Sequence, residues 1–281
     1  MVLIPVTVTD RSGKTIGGLR ADNFNVLDNQ IPQQILSFTN EDVPSSVGLI
    51  LDASGSMRRT LGAAKELATA LLSTANPGDE YRLLTVSSGP SPLSGFTTDV
   101  PELEREMDAA RPAGMTALID TVYFGLSRMR EAKRSRRALL ILSDGIDNYS
   151  RYSASELMRA AIEADVQVYS VIIDDPSAGG TGGAAPFRPR LAAKPWDRGP
   201  ENQGPEMLEK LSEKTGGLHF RVHSAAEAKN AVVELGRAIR SQYVLGYQAA
   251  DSGQSGKWHQ VRVKANVPRV NVYARNGYYA Q

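Results

Sequence analysis

Asp52, Ser54 and Ser56, in the string LILDASGSM, place one carboxylate and two hydroxyls at alternate positions around Gly55. Oxygen donors of this kind suit a hard divalent cation, because magnesium and calcium bind through oxygen. A nucleophile reading is weaker, since no base lies nearby in sequence. The run before them, Val47, Leu49, Ile50 and Leu51, has the length of a strand, and its branched residues fit a strand buried on both faces. That run ends at Asp52, just before a helical pattern begins, so the three donors sit at a strand-to-helix turn. Taken singly they have plainer roles, Asp52 as a helix N-cap and the two serines as turn residues bonded to their own backbone.

The DxSxS string resembles the first metal-binding segment of von Willebrand factor A domains. The resemblance implies a threonine and a second aspartate from two later loops, and both have candidates in the expected order. Thr116 lies in PAGMTALID, a Gly-containing loop that opens a helix, and Asp144 lies in ALLILSDGIDN, at the end of another apolar strand. The implied metal ligands are thus Asp52, Ser54, Ser56, Thr116 and Asp144, with the hydroxyls as ligands and the aspartates acting directly or through water. The implied cation is magnesium, with manganese or calcium as alternatives. Two carboxylates only balance a divalent ion, and hydroxyls add oxygen without charge, so the ion stays electrophilic and keeps waters that an incoming carboxylate can replace. The resemblance therefore implies a non-enzymatic adhesion or assembly module, in which a Glu or Asp of a partner protein completes the coordination. Asp147, three residues beyond Asp144, could orient bound water or the loop backbone, or serve only as a turn residue in GIDN.

Other chemistries compete for the same residues. A magnesium-dependent phosphatase or phosphotransferase of the haloacid-dehalogenase kind would use Asp52 as nucleophile and SDGIDN as a metal string. It would want an acidic residue where Ser54 stands, and it has no role for the threonine loop. A serine hydrolase fits less well still, because ASGSM lacks the leading glycine of a GxSxG elbow and only three histidines are available as a base. His219 and His223 are four apart, but around a strand end rather than on a helix, so a zinc pair is not expected. A structural domain with a degenerate metal site is argued against by the complete set of donors.

The elements that must position these donors follow from the hydrophobic pattern. Strands and helices alternate through the middle of the chain, which predicts a Rossmann-like α/β unit at residues 43–240, with a mostly parallel sheet of about six strands and helices on both faces. Leu61, Ala64, Leu67, Ala68, Leu71 and Leu72 stripe one helix, and Leu118, Val122, Leu126 and Met129 stripe the helix after Thr116. Tyr81 to Val86, Arg137 to Leu142 and Val166 to Ile173 read as strands, and Glu102 to Ala110 as a short helix. Ser153 with Glu156 and Ser224 with Glu227 have capping-box spacing, which marks helices at 157–164 and 228–239. Residues 175–205 carry no period and are rich in Gly and Pro, so they read as a long loop or insertion. Phe187, Arg188, Arg190 and Trp196 are candidate partner contacts within it.

Both ends of the chain are all-β. Val2, Ile4, Val6 and Val8 alternate, a turn follows at 10–13, and Asp28 and Asn29 punctuate a hairpin. At the other end Tyr243, Leu245 and Tyr247 alternate, as do Val261 with Val263 and Val270 with Val272. Some 40 residues of strand bury too little core alone, so residues 1–42 and 241–281 are expected to pair into one small sandwich. That split module, with the strings VTVTDRSGKTIGGLRADNF and QYVLGYQ, resembles a group of bacterial von Willebrand factor A-related proteins, and it implies a location in the cell envelope or outside the cell.

Composition narrows the field further. The 32 basic and 31 acidic residues nearly cancel, which removes any global electrostatic case for nucleic acid or an anionic membrane. There is no cysteine, so disulfides, thiolate metal sites and cysteine nucleophiles are excluded. No apolar run approaches the roughly 18 to 20 residues of a spanning helix. The opening MVLIPVTVTD lacks the regions of a signal peptide and alternates as a strand from its first residues, so it reads as trimmed to a domain edge.

Overall fold

Five parallel strands with an antiparallel sixth at one edge form the central sheet, and two four-stranded sheets form a second layer system at its base. The computed structural model describes residues 1–89, 91–92, 95–174, 204–249 and 256–280. In chain order the first part comprises β1 (Val2–Asp10), β2 (Phe24–Asp28), β3 (Ile31–Gln33), β4 (Ser37–Thr39), β5 (Ser45–Asp52), α1 (Leu61–Leu72), β6 (Glu80–Val86), β7 (Ser91–Pro92), α2 (Val100–Ala109), α3 (Leu118–Arg128) and β8 (Arg136–Ser143). The second part comprises α4 (Ala154–Ala164), β9 (Gln167–Ile173), α5 (Pro205–Thr215), β10 (His219–Val222), α6 (Ala225–Arg240), β11 (Tyr243–Tyr247), β12 (Trp258–Ala265), β13 (Val270–Ala274) and β14 (Gly277–Tyr279).

The central sheet runs β10-β9-β8-β5-β6-β7, with β5 in its interior and buried along its whole length. Because strand side chains alternate, consecutive residues of β5 serve different cores. Val47, Leu49 and Leu51 pack with α1 and α6 on one face, while Ile50 packs with Leu139, Ile141 and the helices α3, α4 and α5 on the other. Each such side chain contributes roughly 1.5–3 kcal/mol by leaving water. The helix stripes read from the sequence face these cores: Leu61, Ala64, Leu67, Ala68, Leu71 and Leu72 are the buried residues of α1. Ser153 and Glu156 form the expected capping box at the start of α4.

Two elements of the α/β unit lie outside the sequence expectation. The sixth strand of the sheet, β7, is a two-residue antiparallel edge rather than a parallel strand. The helix α5 follows the Gly/Pro-rich stretch directly and carries Met207, Leu208 and Leu211 into the core. The expected partner contacts Phe187, Arg188, Arg190 and Trp196 lie outside the described residues.

The chain ends form the shared sandwich. β1 pairs antiparallel with β11 on one side and β13 on the other, giving a sheet ordered β13-β1-β11-β4. The facing sheet is β14-β12-β2-β3, so each sheet contains strands from both termini. Ile4, Val6, Val8, Phe24 and Val26 meet Tyr243, Leu245, Tyr247 and Val261 between the sheets. Asn29 and Gln30 both have positive φ, 48° and 69°, the backbone of a tight two-residue hairpin turn between β2 and β3.

This module sits at the amino ends of the parallel strands. Glu234 of α6 accepts hydrogen bonds from the Thr15 N–H (2.6 Å) and hydroxyl (2.8 Å), and the Gln242 amide donates to Gln167 Oε1 (2.6 Å) and the Tyr169 hydroxyl (2.8 Å). The carboxyl ends of the same strands are left facing away from it. In open α/β sheets that is where ligands collect.

Candidate metal centre

Three loops meet at the carboxyl ends of β5, β6 and β8, and their backbones are laced together. Ala113 N–H donates to Ala53 O (2.9 Å) and Gly55 N–H to Gly114 O (3.1 Å), which ties the threonine loop to the DxSxS turn. Asn148 and Tyr149 both donate their N–H to Thr116 O at 3.0 Å, and Thr116 N–H donates to Asn148 Oδ1 at 2.9 Å, which ties the third loop to the second. The close approach has a conformational requirement. Gly145 has φ +79°, and a Cβ there would lie 2.8 Å from the backbone nitrogen of Pro205, so only glycine lets the loop after β8 pass the start of α5.

Within this frame the five residues expected from sequence are placed as follows. Asp52 and Ser54 are fully buried, Thr116 is 1% exposed, Asp144 is half-buried and Ser56 is exposed. Ser54 N–H donates to Asp52 Oδ1 (2.9 Å), and the Ser54 and Ser56 hydroxyls lie 2.9 Å apart. The Ser56 side chain in turn favours the charged form of the Asp144 carboxyl, and Asp144 acts on Asp52, so Asp52, Ser54, Ser56 and Asp144 lie in one neighbourhood drawn from two loops. Thr116 is tied by its backbone to Asn148 and Tyr149, in the loop that follows Asp144. Its N–H and C=O are both engaged, and its hydroxyl has no hydrogen-bond partner among the described residues.

Sequence reasoning missed Ser143. Its hydroxyl donates to Asp52 Oδ2 at 2.5 Å and accepts from Gly145 N–H at 2.9 Å, so one side chain fixes both Asp52 and the loop that carries Asp144. A serine at the end of an apolar strand carries no pattern that marks it. Asp147 holds loop backbone, as one of its two readings anticipates: its Oδ1 accepts from Leu118 N–H (2.9 Å), Ile119 N–H (3.3 Å) and the Ser150 hydroxyl (2.5 Å), anchoring the amino end of α3. Asp120 returns the tie by accepting from the N–H groups of Arg151 and Tyr152.

The electrostatics favour a cation. Burial pushes the Asp52 carboxyl up to about 6, against the opposing hydrogen bonds from Ser143 and Ser54, and the neighbouring Asp144 adds to the rise. Burial also raises Asp144, with Asp174 contributing, and raises Asp147. Neither Asp52 nor Asp144 has a lysine or arginine ion-pair partner among the described residues. Buried carboxylates without a counter-charge are costly, and a divalent ion among them would remove that cost. Among the described residues no group of three or more His, Cys, Asp or Glu is placed to hold a metal, so a cation here must draw on the hydroxyls of Ser54, Ser56 and Thr116. Such a set matches magnesium or calcium rather than a softer ion. His223 is engaged with Asp174, with Nδ1 and Oδ2 3.2 Å apart.

Ser143 offers a direct check on this geometry. Ser143→Ala should weaken magnesium affinity roughly 10- to 100-fold, the range for groups that orient metal ligands. It should lower the stability of metal-free protein by only about 1 kcal/mol. Calorimetric titration beside urea unfolding measures both, and an unchanged magnesium affinity would remove Ser143 from the site.

Comparison with known proteins identifies the fold. Residues 47–146 match the family described as von Willebrand factor type A domain, a span that holds all five candidate ligands. The chain is similar to an aerotolerance-related membrane protein from Bacteroides fragilis, at 18% identity and TM-score 0.50 over 69% of this chain and 98% of that one. It is similar to a von Willebrand factor type A structure from Catenulispora acidiphila, at 12% identity and TM-score 0.53 over 99% of this chain and 63% of that one. It is also similar to proximal thread matrix protein 1 from the mussel byssus with a zinc-occupied MIDAS motif, at 14% identity and TM-score 0.51 over 75% of this chain and 49% of that one. A search of curated proteins found no match. The central α/β unit has the fold of von Willebrand factor type A domains, and the family match covers residues 47–146 of it.

Proposed function

We propose that the chain is a metal-dependent protein-binding module that holds a divalent cation through Asp52, Ser54, Ser56, Thr116 and Asp144 and takes an acidic residue from a partner protein to complete the coordination. The unit carrying it is residues 43–240, with residues 1–42 and 241–281 as the appended module. The observation that carries this reading is the fully buried Asp52 carboxyl with the half-buried Asp144 acting on it, beside the Ser54 and Ser56 hydroxyls 2.9 Å apart, neither carboxyl having a lysine or arginine ion-pair partner among the described residues. Magnesium is the first choice and manganese or calcium the alternatives. A cation held by neutral hydroxyls and two carboxylates keeps an attraction for a third carboxylate, which is what a Glu or Asp of a partner supplies. The similarity to a membrane protein and to a byssal matrix protein supports placing the module in the cell envelope or outside the cell.

The phosphotransferase alternative asks Asp52 to act as a nucleophile. Each of its oxygens already accepts a hydrogen bond, Oδ1 from Ser54 N–H and Oδ2 from Ser143. The position two residues on is a serine hydroxyl, which is no substitute for a general acid. Binding is therefore favoured over turnover. In a test on one magnesium-loaded sample, calorimetry should give a saturable magnesium heat. Assays with p-nitrophenyl phosphate and p-nitrophenyl acetate should give no turnover above a sample bearing Asp52→Asn. Turnover that disappears with that substitution would replace the binding module with an enzyme.

A further inference from the structure

The ring of residues around the candidate metal centre is uneven in character. Met115 is 39% exposed, Ile146 42% and Tyr149 56%, and each is a large apolar side chain held at the surface. All three belong to the two loops that bring Thr116 and Asp144. Met115 precedes Thr116, Ile146 donates its N–H to Asp144 Oδ1 at 3.0 Å, and Tyr149 donates its N–H to Thr116 O at 3.0 Å. Tyr152, in the same loop, stacks on Tyr123 with ring centroids 4.2 Å apart, so one of its faces is already covered. The other flanks are polar: Ser56 and Arg58 are exposed on the DxSxS side, and Asp174 pairs with His223 and Arg221 beyond Asp144.

Single exposed apolar residues need no explanation, whereas three carried by the two loops of one candidate binding centre do. We propose that the acidic segment this centre takes from a partner protein carries an aliphatic or aromatic side chain within two residues of its coordinating carboxylate, seated on Met115, Ile146 and Tyr149. This rests on the metal-dependent reading above. The cation fixes the sign of the ligand, since only an anionic group completes its coordination. The apolar side chains then fix what stands beside that group, because a charged or hydrated neighbour would have to be desolvated against methionine, isoleucine and a tyrosine ring. Methionine adapts to varied shapes, and tyrosine gives large contact at low entropic cost. A protein segment fits better than a free acyl carboxylate. Two clefts formed by the described residues, of about 380 and 570 Å3, lie toward the opposite pole, the first where Arg136 and Gln167 begin their strands and the second between Asp165 and the sandwich.

The test uses a displayed library of nine-residue peptides with a fixed central Asp and random flanks, panned on the full chain in magnesium and eluted with EDTA. The expected pool is enriched in Leu, Ile, Phe or Tyr within two positions of the Asp. A synthetic peptide from it should lose binding on Asp→Asn, and lose about tenfold in affinity to protein carrying Tyr149→Ser or Ile146→Thr. Magnesium calorimetry on the same two variants should match the parent, because Ile146 and Tyr149 hold the metal loops through backbone N–H groups that both substitutions keep. A magnesium heat with an eluted pool of polar flanks overturns the apolar seat alone. The same holds for selected peptides indifferent to both substitutions, or for octanoate displacing them at equal concentration. Absence of any magnesium heat in the parent removes the metal reading and this inference with it.

Discussion

Asp52→Asn is expected to abolish magnesium binding, with affinity falling on the order of 100-fold or more, because under the proposed coordination a neutral amide would replace one of only two charges on the ion. The same substitution should leave the metal-free protein folded and, at neutral pH, more stable than the parent. The carboxyl of Asp52 is raised from 3.8 to about 6 by burial. A carboxyl raised in the folded state binds its proton more tightly there than in the unfolded chain. Its contribution is therefore fully present below the unfolded value near 4 and is lost as pH rises through about 6. The metal-free parent thus loses stability across pH 4 to 6, by about 2–3 kcal/mol at most. The amide of the Asp52→Asn variant does not titrate in this range, and it keeps an oxygen for Ser54 N–H. Melting curves in EDTA at pH 4.5 and 7.5 should show the parent losing more stability than Asp52→Asn across that interval. Magnesium should restore the parent alone by mass action. Asp144→Asn should also abolish binding, since it removes the other charge. Equal magnesium stabilisation of parent and both variants would sink the assignment.

Asp28→Ala is the largest expected loss of stability, on the order of 3–5 kcal/mol. Asp28 is 5% exposed, and its Oδ2 accepts from the hydroxyls of Tyr247 (2.8 Å) and Tyr278 (2.9 Å), while Oδ1 lies 2.9 Å from Nδ1 of His259. Removing it leaves three polar groups from the far end of the chain without an acceptor in the sandwich interior. His259 and Tyr247 are themselves 2% and 0% exposed, so water cannot readily take its place. Asp28→Asn keeps one acceptor oxygen and should recover part of the loss. Because the carboxylate comes from the first 30 residues and all three partners from the last 40, urea unfolding of this variant reads the joining of the two termini. A loss below about 1 kcal/mol would mean that the termini are not held together as described.

What was legible in the sequence divides along the range of the interaction. The apolar runs that become β5 and β8 could be read locally, because a strand buried on both faces needs a continuous run of branched side chains. The stripe of α1 and the capping box of α4 are likewise short-range signals, and both formed as expected. The hairpin at Asp28 and Asn29 was visible as punctuation, yet the strand after it contains Pro32 and is only three residues long. Its pairing depends on β2 more than on its own preference. Helix α5 was hidden for a comparable reason: Gly204 offers no side-chain cap, and Pro205 looks like the end of the preceding Gly/Pro-rich run although it stands at the first helical position. At the candidate site, residue types and order were readable, but the lacing was not. The bonds from Ser143 to Asp52, Thr116 to Asn148 and Leu118 to Asp147 each span some 30 residues or more of chain, and spacing carries no trace of them.

The position of the cation itself is the most direct measurement. Crystals of the full chain grown with manganese chloride, with diffraction recorded at a wavelength where manganese scatters anomalously, would place the ion without reference to any ligand. One strong anomalous peak is expected at the carboxyl ends of β5 and β8, within coordinating reach of the Ser54, Ser56 and Thr116 hydroxyls, and it should disappear in crystals of Asp52→Asn. A strong peak elsewhere on the molecule with none at these three loops, or a peak that persists unchanged in Asp52→Asn, would contradict the assignment.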